Sequence, residues 1–147
     1  MEWGFVIGLA GLVLCVILCG IGSAIGLSRT GQASAGVLGE EPRRFSKVLV
    51  LTVLPATQGI YGFVFAIVAS CGLFVGMDIS TGLRILLASL PLMVTGLLTP
   101  ILQSKSATSC INAVAKKESL SGRLLLFPAM IETYAILSLV ISLLLLP

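Results

Sequence analysis

Four long apolar runs constrain this chain more than any other feature: residues Trp3–Leu27, Val48–Val75, Leu83–Leu102 and Leu124–Leu146. A helix needs about 20 mainly apolar residues to cross a hydrocarbon layer about 30 Å thick. Each run reaches that length, so the sequence predicts an all-α membrane protein of four transmembrane helices. With 57% hydrophobic and only 10% charged residues in 147, a water-soluble domain of this size could not bury its apolar surface. The first run is read as a span and not as a cleaved signal, because MEW carries no positive charge and the run is long and glycine-patterned.

Charge placement orients the helices. Arg29, Arg43, Arg44 and Lys47 flank the first connection, and Lys105, Lys116, Lys117 and Arg123 flank the third. Of the nine basic residues only Arg84 lies elsewhere. Basic loops stay in the cytoplasm, so both termini and the GMDIST connection are expected outside, in a multi-pass protein of the cell membrane. The net charge of +3 reflects this topology and gives no reason to expect nucleic acid as a partner. Asp78 and Arg84, near the outer boundary, are expected to anchor the third helix or to pair loosely. Cys15, Cys19, Cys71 and Cys110 show no CxxC spacing, and the chain has no histidine. They read as small packing residues, with no metal cluster. Nor is there a convincing nucleophile and base, which argues against an enzyme.

Displacing the chain by 73 residues lays LPATQGIYGF (54–63) on FPAMIETYAI (127–136). Pro55 falls on Pro128, Ala56 on Ala129, and Tyr61 on Tyr134. The chain therefore reads as two tandem helical hairpins, residues 1–76 and 77–147. Their informative mismatch is Glu132, which falls on Gly59: the first hairpin has no carboxylate at that place. Helix 1 is rich in small residues, with GxxxG pairs at Gly4/Gly8 and Gly22/Gly26. GIGSAIG (20–26) has a superficial likeness to a phosphate-binding loop, but its glycine spacing and context are wrong. Close helix packing explains it better, and glycine on several sides suggests neighbours within and between subunits, as in a ring.

Glu132 is the residue that composition does not explain. It lies nine residues after Arg123, about 14 Å along a helix, and so well inside the bilayer. A charged side chain at a helix centre is disfavoured by about 2.5–3.5 kcal/mol or more. It must be paired, coordinated, or neutralised by a proton. Counting from the KKESL bend places Gln103 level with Glu132 in an antiparallel hairpin. Lys105, two residues on, then points about 200° away around the helix and is expected to reach toward the cytoplasm. On helix 2, Leu54, Thr57, Gln58 and Tyr61 form one stripe at i, i+3, i+4 and i+7, and Pro55 disturbs the local hydrogen-bond ladder. Two readings stay open for these residues. Thr57 can bond its own backbone while Gln58 joins helices 2 and 3, or the stripe can supply ligands to Glu132. A carboxylate with a hydroxyl, two amide oxygens and a carbonyl is an oxygen shell of one negative charge. That suits a monovalent cation, Na⁺, better than Ca²⁺ or Mg²⁺. A proton would need Glu132 alone.

These residues resemble a known family. LPATQGIYGF, LQSKSATS and PAMIETYAIL are similar to the membrane-ring proteolipid, known as K or c, of V-type (V/A-type) rotary ATPases in their sodium-dependent branch. The resemblance covers nearly the whole chain. It implies a closed rotor ring of identical subunits, with Glu132 as the ion carrier. Thr57, Gln58 and Gln103 would be side-chain ligands to Na⁺, Leu54 a backbone-carbonyl ligand, and Tyr61 the hydrogen-bonding residue that closes the site. H⁺ would compete with Na⁺, or be the ion carried in a proton-translocating ring. The resemblance further implies a stator subunit with an arginine that releases the ion, and central-stalk subunits meeting loops 38–46 and 115–122. ATP would be hydrolysed elsewhere in the complex, and this chain would be non-catalytic. Carrying one acid per four helices favours pumping against a steep gradient. Ser104 and Ser106–Ser109 make helix 3 more polar than the family pattern, and Pro100 bears on the placement of Gln103. Outside this family, the reading of the residues alone is a tetraspan structural or channel protein with Glu132 as interhelical glue.

Overall fold

The computed structural model describes residues 2–147. Its helices are α1 (Trp3–Glu40), α2 (Phe45–Val53), α3 (Thr57–Ser70), α4 (Ile79–Lys116), α5 (Ser121–Leu124) and α6 (Leu126–Leu144). A tight turn at Leu54–Ala56 joins α2 to α3 as one span, and α5 leads into α6 as another. Four helical segments are thus long and apolar enough to cross a membrane. The helices outrun the apolar runs at their polar, basic ends. α1 continues past Leu27 to Glu40, and α4 past Leu102 to Lys116, because nothing in those extensions breaks a helix before Pro42 or the KKESL bend.

α1 and α4 form the centre, packed side by side along most of their length, with α3 against α1 and α6 against α4. Glycine makes the central contact possible. A Cβ on Gly22 would lie 2.6 Å from the carbonyl oxygens of both Gly96 and Leu97, and one on Gly26 2.7 Å from that of Pro100. The two backbones touch directly, which in lipid replaces the missing hydrophobic drive by van der Waals contact. Each partner lies about one repeat length along the chain: the Cys19 thiol donates to the Leu92 carbonyl across a separation of 73 residues.

Proline acts differently in the two halves. Pro55 sits in the turn that interrupts the second span, whereas α4 continues through Pro91 and Pro100. Just past Pro91, the Leu92 N–H finds the Ser142 hydroxyl of α6 at 3.2 Å. Gly76 has φ of +93°, a left-handed conformation that glycine adopts without strain, and it turns the chain between α3 and α4.

The apolar core has two parts. One gathers Leu12, Cys15, Cys19, Phe65, Ile85 and Leu92; the other gathers Val37, Val48, Leu51, Cys110, Ile111 and Val114. The polar residues Thr30, Gln58, Gln103 and Glu132 lie between them along the helices and are buried. At the loop end, Arg44 bonds Glu41 at 2.6 Å and donates to the Val114 and Ala115 carbonyls at the end of α4. Lys47 lies 3.9 Å from Glu118 of the other loop, both half-exposed. Asp78 does not pair with Arg84. Its carboxylate accepts the Ser80 and Thr81 hydroxyls at the start of α4, since these donors of the first turn are the nearer partners.

Candidate functional site

The site is assembled where the α2–α3 turn, α4 and α6 converge. The turn breaks the helix just before Thr57 and Gln58, making them the first two residues of α3. Early N–H groups of a helix lack internal partners, and the Thr57 N–H bonds the Leu54 carbonyl. α4 contributes Gln103 and α6 contributes Glu132, at the common level expected from the hairpin count. Gln58 and Gln103 are wholly buried and Glu132 is only 7% exposed.

Three side chains bond the carboxylate. The Thr57 hydroxyl lies 2.5 Å from Glu132 Oε1, while Gln58 Nε2 and Gln103 Nε2 each lie 2.7 Å from Oε2. Gln58 Nε2 also donates to Gln103 Oε1 at 3.0 Å, and Gln103 Nε2 to the Pro128 carbonyl at 3.0 Å. The backbone and interhelical contacts of the first reading are present, and the same side chains also reach the acid. Thr57 touches its own backbone, 2.8 Å from the Leu54 carbonyl, as well as Glu132, and Gln58 links α3 both to α4 and to the acid. The single hydroxyl proton of Thr57 serves one of its two acceptors at a time.

Tyr61, one turn beyond Thr57 on α3, is partly buried. The close hydrogen bonds to the carboxylate come from Thr57, Gln58 and Gln103. Lys105 is exposed and lines an open groove with Arg29, Gln32 and Asn112. Among the described residues no lysine or arginine pairs with Glu132.

Chemically, the arrangement can hold a negative charge in a dry place and can offer oxygen. An ionised carboxylate accepts only, and it is met here by one O–H and two N–H donors. Gln58 Oε1, in contrast, is buried without a hydrogen-bond partner. A buried orphan oxygen is unfavourable, and here it is the nitrogen of the same amide that faces the carboxylate. The oxygens that meet here as observed are those of the Glu132 carboxylate, the Thr57 hydroxyl and the Leu54 carbonyl.

Sequence reasoning missed the polar groups that support the site from behind. Ser23 of α1 accepts the Gly59 N–H at 2.7 Å. Thr30 donates to the Thr52 carbonyl at 2.7 Å, and Ser34 and Thr52 share a 2.5 Å hydrogen bond. A signal existed for Thr30, which falls on Gln103 when the two hairpins are superimposed on the sequence. Ser23 lies inside GIGSAIG, where glycine spacing is the stronger signal.

The profile of the ATP synthase C-subunit family matches residues 4–69 and 86–145. Over 142 residues the chain is 43% identical to the V-type sodium ATPase subunit K of Enterococcus hirae, covering 97% of this chain and 91% of that one. It is 38% identical over 141 residues to the A-type ATP synthase subunit K of Methanocaldococcus jannaschii, covering 96% of this chain and 62% of that one. With both hairpins matched and the similarity running nearly end to end, the chain belongs to the ATP synthase C-subunit family of membrane-ring proteolipids.

Proposed function

We propose that this chain is the ion-carrying rotor subunit of a V-type rotary ATPase, with Na⁺ as cargo at Glu132. One observation carries the reading: a membrane-buried carboxylate with no cationic partner among the described residues, surrounded by Thr57, Gln58, Gln103 and an orphan amide oxygen. The subunit is non-catalytic and works in an oligomeric ring with other ATPase subunits.

Na⁺ would be held by the Glu132 carboxylate, Thr57 Oγ1, the Leu54 carbonyl and the amide oxygens of Gln58 and Gln103, with Tyr61 closing the site. Gln103 already directs its oxygen at Gln58 while its nitrogen is held by the Pro128 carbonyl. Gln58 needs a turn of its amide to present Oε1. In lipid the acid stays neutralised, because an ionised carboxylate without a partner is disfavoured there. At the stator, an arginine competes for the carboxylate and frees the ion. Residues 1–76 and 77–147 act as two hairpins of common design, only the second carrying an acid; the side-by-side register of α1 and α4 supports this. Both termini face outward, and the loops at 38–46 and 115–122 face the cytoplasm and meet the central stalk. Their basic residues support that orientation.

The test is carbodiimide labelling of Glu132 in the purified ring near neutral pH. Na⁺ at rising concentration is expected to slow the labelling, and K⁺ at equal ionic strength is not. Labelling that Na⁺ leaves unchanged would refute sodium as cargo and leave a proton-carrying ring.

A further inference from the structure

Ser23 connects α1 directly to the start of α3, and the GIGSAIG segment containing it otherwise serves packing. Ser23 is buried, 8% exposed, and its hydroxyl accepts the Gly59 N–H at 2.7 Å. Gly59 is the third residue of α3, directly after Thr57 and Gln58. The Pro55 turn precedes α3, so its first N–H groups have no complete helical ladder behind them. The Thr57 N–H is met by the Leu54 carbonyl, and the Gly59 N–H is met from another helix altogether. Ser23 therefore does for α3 what an N-cap serine does for its own helix.

The repeat gives this contact its meaning. Gly59 stands where the second hairpin carries Glu132. A Cβ at Gly59 would lie 3.2 Å from Ser23 Oγ and 3.3 Å from Ser23 Cβ, tight enough to push the serine away. Bare backbone at that position lets α1 approach and hold the start of α3. Gly22 and Gly26, one on each side of Ser23 along α1, lock that stretch against α4, and Gly26 also meets Pro55. The serine is thereby fixed relative to Gln103 as well as to Gln58.

We infer that Ser23 is a positioning residue for the cation site: it fixes where α3 begins, and so sets the Leu54 carbonyl, Thr57 and Gln58 at their distances from Glu132. The inference rests on the cation-binding reading given above. It separates the two ions that could occupy the site. A cation needs all of those oxygens in register, while a proton needs only the carboxylate. Loss of the Ser23 hydroxyl therefore weakens Na⁺, which needs every one of those contacts, by more than it alters protonation, which involves only the donors to the carboxylate.

The experiment compares wild-type, Ser23→Ala and Ser23→Thr rings by carbodiimide labelling of Glu132, in a Na⁺ series and in a Na⁺-free pH series. Ser23→Ala is expected to raise the half-protecting Na⁺ concentration about tenfold, the equivalent of about 1.4 kcal/mol, and to move the Na⁺-free pH profile by clearly less. Ser23→Thr keeps the acceptor and is expected to restore Na⁺ protection. If Ser23→Ala yields no ring, Ser23→Cys offers a near-isosteric but weak acceptor, with a smaller shift in the same direction. An unchanged half-protecting concentration in the assembled variant, or equal shifts of the Na⁺ and pH series, overturns the inference. Absence of Na⁺ protection in the wild-type ring overturns the sodium reading instead, so the two failures are distinguishable.

Discussion

Gln58 offers a quantitative test of the proposed site, because its amide serves different partners in different states. In the arrangement observed, Gln58→Leu removes an N–H from Glu132 Oε2 at 2.7 Å and another from Gln103 Oε1 at 3.0 Å. A hydrogen bond to a charged group contributes about 1.5–3 kcal/mol, and the amide oxygen facing a cation is a contact of that class. Relative to a protonated site, which depends little on Gln58, the Na⁺-loaded site loses the whole contact. The expected weakening is about 10- to 150-fold. Relative to an ion-free, ionised carboxylate the loss is partly cancelled, since that state also forfeits the Gln58 N–H. A net of about 1 kcal/mol, or about fivefold, remains. The size of the defect should therefore grow as pH falls. Radioactive Na⁺ binding to purified wild-type and Gln58→Leu rings at several pH values measures both limits. Gln103→Leu should be non-additive with Gln58→Leu, because the two amides share a hydrogen bond. Na⁺ affinity within about twofold of wild type at every pH, well short of these expected losses, would refute the assignment of Gln58 as a ligand.

Other contacts carry their own expected outcomes. Glu132→Gln should abolish Na⁺ binding and carbodiimide labelling while the ring still assembles; retained transport would make Glu132 interhelical glue. Gly22→Ala places a methyl 2.6 Å from two α4 carbonyls, so ring yield should fall sharply on native gels. Arg44→Ala removes the clasp on the end of α4 and on Glu41. It should lower the thermal dissociation temperature of the ring, and Arg44→Lys should rescue it poorly, lacking the guanidinium fork. The Ser80 hydroxyl, and then that of Thr81, hold the Asp78 carboxyl down at about 2. The stabilising effect of these bonds is complete above the ordinary aspartate value, about 3.9, and is lost as pH falls through about 2. Hydrogen exchange at the start of α4 should show this acid dependence in wild type and not in Asp78→Ala.

Membrane helices expose their length, their polar exceptions and their flanking charge in the chain itself. Run length alone predicted four spans, and its isolation in apolar sequence marks Glu132 without any knowledge of the fold. The hairpin count placed Gln103 level with Glu132 and turned Lys105 away, because rise and rotation per residue are fixed by backbone geometry. Local arithmetic of that kind ends at the helix surface. The sequence could not decide whether Thr57 would bond its backbone or Glu132, since both lie within reach of one hydroxyl; the approach of α6 settled that it touches both. Nor could it reveal that Pro55 would end a helix while Pro91 and Pro100 would not. That depends on whether a neighbouring element supplies a partner, as Ser142 does for the Leu92 N–H. Ser23 shows the limit most plainly. Read along the chain it is a small residue among glycines, and only the contact of α1 with α3 makes it an acceptor for Gly59. The sequence determined which groups lipid would not tolerate unpaired. The tertiary structure decided who pairs with whom, because hydrogen bonds act over about 3 Å and that distance is set between helices.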